Sequence, residues 1–533
     1  MWGDKLASDL QLDSFASTVG LQTPWGTQTF QEGLLAPTSD PATIKRRQLP
    51  LLGLRKEDTI RKAILADLTT VTLDAEVLDD CLAEPDERVS ESVSQILWSP
   101  DNVTAFLNTS PMVLNGMLTW KTIVLPGVSL LTPLLALVLP FILAFLVPGQ
   151  KQSSTEILQT IRSVIRSQIT LPAPIMERAS SSRFGSILEM FFIGFALLMF
   201  ISGLWQQITA ALHLRSIWFD VAERGATILR TVATGKRILG RLESMAPKHS
   251  RACRSLIEAG HEAVQACAIY EGLDGGAAYG ATWNSSDALA DLVDWLALID
   301  VHATIANLDG VCFPTVATDV RLDITGVHHP AVPTCIPNNF RSSSTKSHTL
   351  LTGPNRGGKS TFCKAVGLSI VLAQTWGYAY AKSMKWSPFS AVLTGLEPCG
   401  KLGHHSTFEA EIEFAKSVLA TEGRPLFVMM DEIFHSTNAH DGVEASKVFL
   451  SQLYEMKDCI SVVSTHYAEL TKLFESATAL QLVATENAGV LTYTYKVAPG
   501  VSSLSSVMDI LEERGLLRKS TPSKSAPLHQ KPE

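Results

Sequence analysis

The chain has 533 residues, enough for about three or four domains that each bury a core of their own. Charged residues make up 18% of the sequence, below the roughly 25% usual for globular chains, and the net charge of -8 excludes an overall basic nucleic-acid-binding character. The eight cysteines form no CxxC pair, which argues against a disulfide framework and predicts reduced thiols in a cytosol-facing protein.

Residues 1–116 have the pattern of a globular, mainly helical region. Stretches such as 75–97 mix apolar and acidic positions in the manner of helices with one buried face. The first ten residues, MWGDKLASDL, lack the basic and apolar regions of a signal peptide.

Residues 117–208 contain two apolar segments, at about 122–148 and 188–208. The first carries no charged residue and is long enough to cross a bilayer core of about 30 Å, although its prolines would kink a helix. The pair predicts a two-segment transmembrane hairpin that contacts lipid through residues 122–208. A buried pair of core helices is the alternative. The intervening stretch 157–169 has an apolar helical face, typical of a membrane interface or of packing against a core.

Residues 209–310 return to a helical pattern, with one long helix predicted over 287–306. From residue 322 onward, short apolar runs alternate with helical segments, which indicates an α/β sheet within a domain at 311–517. The Ser-, Pro- and Lys-rich end, 518–533, predicts a disordered tail.

A phosphate-binding loop follows the buried strand predicted at 348–352. The sequence there fits GxxxxGK[ST], and the next residues are helical. Glycines allow backbone N–H groups to turn toward phosphate oxygens, and the helix N-terminus adds its dipole. Lys359 would neutralise the β- and γ-phosphates of ATP, while Ser360 would offer its hydroxyl to Mg²⁺. The predicted nucleotide-binding residues are Gly353, Pro354, Asn355, Gly357, Gly358, Lys359, Ser360 and Thr361.

An acidic pair ends the apolar strand predicted at 426–430. Asp431 could hold Mg²⁺ and Glu432 could activate the attacking water as a general base, although such a pair can also merely cap a helix. A further buried run, 459–466, ends at His466, which suits a contact to the γ-phosphate. A lone histidine in that position is more often structural.

These motifs resemble those of the MutS family of mismatch-repair ATPases. TGPNRGGKST is similar to the family's phosphate loop, STHYAEL to its ATHYxEL, and HSTFEAEIEFA to its STFxxE helix. DEIFHSTNAHDG resembles the DEIGRGTSTxDG segment, and GVHHPAVPTCIPNN resembles the stretch that begins the ATPase domain. A likeness to the family's core domain is carried by TPWGTQTFQEGLLAPTSDPATIKRRQ. The resemblance covers residues 14 to about 70 and about 210 to about 515.

The resemblance implies a MutS/ABC-type α/β P-loop NTPase domain, C-terminal to a mainly helical MutS-like core that the transmembrane hairpin would interrupt. It also implies a homodimer formed through the ATPase domain, in which Ser406 reaches the γ-phosphate bound by the other subunit. The implied catalytic set is then Glu432, Lys359, His466 and Ser406, with Ser360 and Asp431 as Mg²⁺ ligands. Thr437 and Asp441 would line the dimer interface.

Some positions depart from the family pattern. Arg356 replaces a usual methionine, Phe434, His435 and Ser436 replace Gly-Arg-Gly, and Cys335 stands where the family often has an aromatic residue against adenine. His404 and His405 lie near Cys399, but a loop before a helix explains them better than a metal site.

We therefore predict a membrane-anchored, dimeric ATPase that uses ATP and Mg²⁺, with its core and ATPase domains facing the cytosol. The first apolar segment could span the membrane or form a re-entrant hairpin. One alternative function is a DNA-binding repair or recombination ATPase acting on mismatched or branched DNA. Another is a transporter ATPase of the ABC class, which would need an LSGGQ-like signature where this chain has STFE.

Overall fold

A computed structural model describes most of the chain in four ranges, 4–131, 183–396, 407–487 and 490–502, together with a few isolated residues. The predicted catalytic residue Ser406, the cluster around His404 and the predicted tail lie outside the described residues. The chain divides into two compact units. The first unit comprises 1–72, 238–259 and 294–533, and the second comprises 73–237 and 260–293.

Up to residue 307 the described elements are helices, and from residue 315 onward strands alternate with helices. The helices before residue 131 are α1 Asp4–Asp9, α2 Leu12–Ala16, α3 Pro24–Leu34, α4 Pro41–Lys56, α5 Asp58–Thr72, α6 Ala75–Leu82, α7 Glu87–Val93 and α8 Pro111–Thr119. The later ones are α9 Arg183–Glu243, α10 Pro247–Ala252, α11 Arg254–Ala266, α12 Gly275–Asn284, α13 Asp287–Asn307, α14 Lys359–Thr375, α15 Thr407–Ala420, α16 Ala439–Glu455 and α17 Ala468–Leu473. The long helix predicted at 287–306 is thus confirmed.

Ten strands occur among the described residues: β1 Thr315–Val316, β2 Arg321–Val327, β3 Asn338–Ser343, β4 His348–Thr352, β5 Ser383–Trp386, β6 Ala391–Gly395, β7 Leu426–Met430, β8 Cys459–Ser464, β9 Thr478–Asn487 and β10 Val490–Pro499. Four form a small sheet in the order β1-β5-β2-β3. The other six form the main sheet in the order β10-β9-β4-β8-β7-β6, in which β9 through β6 run parallel and β10 is antiparallel.

The main sheet explains the apolar runs of the sequence. Strands β4, β7 and β8 are buried along their whole length, as expected for parallel strands covered on both faces. Strand β8 lies between β4 and β7, so the carboxyl ends of these three strands meet at one edge. The phosphate loop, the acidic pair and His466 follow those three ends.

Asp300 of α13 fixes the start of α3 in the first unit. Its carboxylate is fully buried and accepts hydrogen bonds from the Thr23 amide at 2.7 Å, the Thr23 hydroxyl at 2.8 Å and the Gln22 amide at 3.1 Å. The Thr23 hydroxyl in turn accepts from the Gly26 amide at 2.9 Å, which caps the helix. Burial raises the pKa of Asp300, although these donors oppose the shift.

His348, the first residue of β4, is a buried histidine that should make the stability of the fold depend on pH. Its ring stacks on Tyr454 at 4.2 Å, its Nδ1 lies 2.9 Å from the Ser461 hydroxyl, and burial lowers its pKa to about 4. A histidine in the unfolded chain has a pKa of about 6.5. Between that pH and the lower pKa of the folded state, His348 is protonated in the unfolded chain and neutral in the folded one. We expect the free energy of unfolding to fall by up to roughly 3 kcal/mol as the pH decreases through this window.

Urea unfolding of the His348→Gln variant between about pH 7 and about pH 4.5 tests this expectation. The variant should show a smaller decrease in the free energy of unfolding over this range than the unsubstituted protein. Some pH dependence should remain, because burial also lowers the pKa of His302. Replacement of the exposed His440 by alanine is the matched control and should leave the dependence unchanged. Identical pH profiles for His348→Gln and the unsubstituted protein would contradict the assignment.

The second unit is helical in its described residues. Ion pairs of 3.0 Å join Arg224 of α9 to Asp80 and Arg230 of α9 to Asp74, at and just before α6. Helix α9 also approaches the start of α12 closely, because a Cβ on Gly225 would lie only 1.7 Å from the Gly275 carbonyl oxygen. This contact therefore requires glycine at position 225.

The second predicted membrane segment, 188–208, lies inside α9, which continues without a break to Glu243. By length and composition, the stretch Leu197–Glu243 is the one helix among the described residues that could cross a membrane. Side chains such as Leu197, Leu198 and Trp205 are exposed on it. Of the first predicted segment, 122–148, only residues up to 131 are described. A two-segment hairpin is therefore not established.

Candidate active site

The phosphate loop closes tightly between β4 and α14. The Gly357 amide donates to the Pro354 carbonyl at 3.1 Å, and a Cβ at position 357 would lie 2.9 Å from that oxygen. Gly358 has a φ of 96°, a conformation that favours glycine, immediately before α14 begins at Lys359. The loop and the helix N-terminus therefore form a cradle of backbone donors suited to an anion.

Lys359 lies beneath this loop and is 5% exposed. Its Nζ donates to the Gly353 carbonyl at 3.1 Å and lies 3.9 Å from Glu432 Oε1. Burial lowers the pKa of Lys359, while the nearby carboxylates of Glu432 and Asp431 oppose that shift. The ammonium group is positioned between the loop and the acidic pair.

Asp431 connects the loop to β7 and β8. Its carboxylate accepts hydrogen bonds from the Ser360 and Ser464 hydroxyls, and Ser464 Oγ also accepts from the Glu432 amide at 2.8 Å. Ser360 and Asp431 together offer a hydroxyl and a carboxylate oxygen, the hard donors that Mg²⁺ prefers. The donor set therefore fits the predicted Mg²⁺ site.

Glu432 and His466 form the second half of the site. His466 Nε2 lies 2.8 Å from Glu432 Oε1, the same oxygen that Lys359 approaches. The hydrogen bond from His466, together with the charges of His466 and Lys359, holds the pKa of Glu432 below its usual range, although partial burial opposes the shift. Glu432 is therefore ionised near neutral pH, the state that a general base requires.

A cavity of about 400 Å³ extends from the phosphate loop toward the small sheet. Its walls include Lys359, Ser360, Val327, Cys335 and Tyr495. Cys335 thus lines the space where the resemblance places a base-packing aromatic residue. This volume falls within the range of small-molecule pockets.

Tyr495 is a residue of this cavity that the sequence reasoning missed. It lies at a bulge in β10 with a φ of 55°, and its ring stacks on Tyr493 with centroids 6.1 Å apart. Asn338 fixes the bulge by donating to the Tyr495 carbonyl at 2.9 Å and accepting from the Val497 amide at 2.8 Å. The spaced tyrosines of YTY were the available sequence signal, but nothing local indicated their contact with the loop.

A second cavity of about 220 Å³ also borders the acidic pair. Lys5, Glu411 and His435 line it together with Asp431 and Glu432. The Lys5 ammonium lies 4.1 Å from the centre of the Phe414 ring. Lys5 was not singled out from the sequence, whereas Glu411 is the glutamate of the segment that resembles STFxxE.

Other predicted residues lie apart from this constellation. The Asp441 amide donates to the Asn438 side chain at 3.0 Å, so Asp441 belongs to the capped first turn of α16 within its own chain. Neither Asp441 nor Thr437 lines either of these two cavities. Arg356, the departure in the phosphate loop, has a φ of 63° and forms an ion pair with Glu513.

Comparisons with known proteins bear on this geometry. A family model of MutS domain V matches residues 349–519. The DNA mismatch repair protein MutS of Lactobacillus helveticus is 30% identical over 245 residues, which cover 43% of this chain and 29% of that protein. The DNA mismatch repair protein msh3 of Botryotinia fuckeliana is 32% identical over 197 residues, which cover 35% of this chain and 17% of that protein. The C-terminal region of the chain is therefore similar to MutS proteins.

MutS of Shouchella clausii is similar to the chain at 29% identity over 229 residues, or 41% of this chain and 26% of that protein. Each match thus spans less than a third of the relative's length. The match to MutS domain V confirms the family resemblance and the α/β ATPase-type fold of the C-terminal region.

The predicted membrane localisation is wrong. The relatives are named DNA mismatch repair proteins. Within the described ranges, α9 is the one helix long and apolar enough to cross a membrane, and this judgement uses length and composition alone. The physical reason for the error is that an uncharged apolar stretch is compatible with a bilayer without requiring one. The second segment is also continuous with a longer helix whose later part packs within the protein.

Proposed function

We propose that this chain binds ATP with Mg²⁺ and hydrolyses it. The proposal rests on the convergence of Lys359, Asp431, Glu432 and His466 at one edge of the main sheet. The order of the strands supports it, because β8 brings His466 between the phosphate loop and the acidic pair.

Each side chain then has a distinct task. Lys359, which donates to backbone carbonyls of the loop in this structure, would donate to phosphate oxygens when nucleotide binds. Glu432 would accept a proton from the attacking water, and His466 would hold the carboxylate in position through its 2.8 Å contact. Mg²⁺, bound by Ser360 and Asp431, would supply charge neutralisation at the phosphates. Tyr495 and Cys335 would face the rest of the nucleotide in the larger cavity.

The experiment is phosphate release by the purified chain with ATP, measured in Mg²⁺ and again after chelation. Turnover that requires both Mg²⁺ and Lys359 supports the proposal, since contaminating ATPases would not respond to a substitution in this chain. Turnover that is unaffected by substitution of Lys359 would reject it.

We also propose that two copies of the chain assemble through the ATPase domain when ATP is bound. Support comes from the resemblance of residues 406–411 and 431–442 to segments that face another subunit in the family. The second cavity, where Glu411 and His435 lie beside the acidic pair, would then be near the subunit boundary. Sedimentation of a variant that retains ATP without hydrolysing it tests the assembly, and a single chain at all concentrations would reject it.

The second candidate function is ATP-dependent binding of mismatched or branched DNA, which the names of the relatives favour. We expect such DNA to be retarded in a mobility-shift assay at about 50 mM salt. Because phosphate contacts dominate affinity, binding should fall by roughly 10³-fold or more by about 200 mM salt if six or more phosphates are contacted.

The control for this experiment is fully paired DNA of the same length, which should bind more weakly than the mismatched or branched form. A net charge of -8 requires that any basic surface be local. The absence of a shift at about 50 mM salt, with ATP present, would exclude this function for the chain.

A further inference from the structure

The turn that carries Glu432 has a backbone conformation that its own residues do not favour. Glu432 and Phe434 have φ values of 52° and 48°, in the left-handed region, where a non-glycine residue costs on the order of 1 kcal/mol. Such a conformation persists only when surrounding contacts hold it. The residues at 434–436 are Phe-His-Ser, where the family resemblance would place Gly-Arg-Gly.

Phe434 anchors one part of this turn. Its side chain is 2% exposed and makes edge-to-face contacts with Phe408 of α15 and Phe449 of α16, with centroids 6.0 and 6.1 Å apart. The Tyr467 hydroxyl donates to the Phe434 carbonyl at 3.1 Å. The turn is thereby fixed beyond Glu432, but these contacts do not reach the peptide of Glu432 itself.

His435 supplies that contact. Its Nδ1 lies 2.8 Å from the Glu432 carbonyl oxygen and 3.3 Å from Glu411 Oε1 of α15. Both neighbours are acceptors, so Nδ1 carries a hydrogen and donates. The Glu411 side chain is only 13% exposed, so this contact with Nδ1 is largely shielded from solvent.

We propose that His435 is a positioning residue for the general base Glu432. The ring is held by Glu411 and in turn holds the Glu432 carbonyl, which sets the direction from which the Glu432 carboxylate meets His466 and Lys359. This inference rests on the proposed ATP hydrolysis. It links the base to α15, the helix whose first residues resemble the family's STFxxE signature.

Loss of this hydrogen bond should affect the chemical step and not the binding of ATP, because His435 does not line the larger cavity where nucleotide would bind. A misplacement of catalytic groups by about 1 Å can cost up to roughly 10²-fold in rate. We therefore expect His435→Ala to lower kcat by roughly 10- to 100-fold, with an ATP dissociation constant within about twofold of the unsubstituted value.

Two isosteric variants separate positioning from packing. The amide nitrogen of asparagine can take the place of Nδ1, whereas that of glutamine takes the place of Nε2. His435→Asn should therefore restore most of kcat and His435→Gln should not. His213→Ala, at an exposed position of α9, is the control and should behave as the unsubstituted protein. Unchanged kcat in His435→Ala, or equal rescue by glutamine and asparagine, would overturn the proposal.

A measurement without nucleotide distinguishes this proposal from the proposed function. The amides of Glu432 and Ile433 donate to Ser464, at 2.8 and 3.2 Å, and should be protected from hydrogen exchange. Their exchange should accelerate in His435→Ala and return toward normal in His435→Asn. If the unsubstituted chain shows no ATP turnover, the proposed function fails, and unchanged exchange in His435→Ala rejects the positioning role independently.

Discussion

Replacement of Glu432 by glutamine is expected to reduce ATP turnover by roughly 10²- to 10⁴-fold while ATP binding is retained. Glutamine keeps the size of the side chain and can still accept from His466, but it cannot take a proton from water. Since the hydrogen bond from His466 holds the pKa of Glu432 below its usual range, the native residue is ready to accept a proton at neutral pH.

Phosphate release and equilibrium binding of ATP, measured on the same preparation, check this expectation. Removal of a negative charge 3.9 Å from Lys359 should leave ATP affinity equal or slightly higher, since Glu432 no longer competes for the ammonium group. The variant retains ATP and is therefore suited to the sedimentation test of dimer formation. Turnover equal to that of the unsubstituted protein would exclude Glu432 as the base.

Replacement of Lys359 by alanine is expected to weaken ATP binding by roughly 10- to 100-fold and to abolish measurable turnover. The reason is electrostatic. Asp431 and Glu432 lie beside the loop, and without the ammonium group their carboxylates would repel the phosphates. A charge-assisted hydrogen bond contributes about 1.5–3 kcal/mol, which corresponds to the expected loss in affinity.

Lys359→Arg provides the matched comparison, because it keeps the charge but cannot keep the geometry of a 5% exposed ammonium group. Fluorescent-nucleotide titration measures the affinity, and thermal unfolding checks that each variant folds. Burial lowers the pKa of Lys359, so its removal should not destabilise the fold strongly in the absence of nucleotide. Full ATP affinity in a folded Lys359→Ala variant would contradict this role.

Local sequence patterns were enough to predict the parts of the site that are contiguous in the chain. The strands at 348–352 and 426–430 have the predicted bounds, because runs of buried apolar residues specify a central parallel strand. The phosphate loop and the acidic pair were identifiable because their chemistry depends on residues adjacent in the chain. The family likeness of the C-terminal region follows from the same motifs and is confirmed by the match to MutS domain V.

The contacts that distant residues make within that site became visible only in the folded structure. The position of β8 between β4 and β7 brings His466 to Glu432, and a bulge in β10 brings Tyr495 over the loop. The contact of His435 with Glu411 depends on how α15 packs against the turn after β7. Such contacts depend on register and packing between elements far apart in the chain, for which the sequence carries no local signal.

The apolar segments show the same limit. Composition alone predicted a membrane for residues 122–208, whereas the structure places the second segment at the beginning of a helix that continues to Glu243. The hydrophobic effect favours removal of an apolar surface from water, but it does not specify whether lipid or protein covers that surface. The sequence therefore determined the chemistry available at each position, and the packing of helices and strands decided which groups meet.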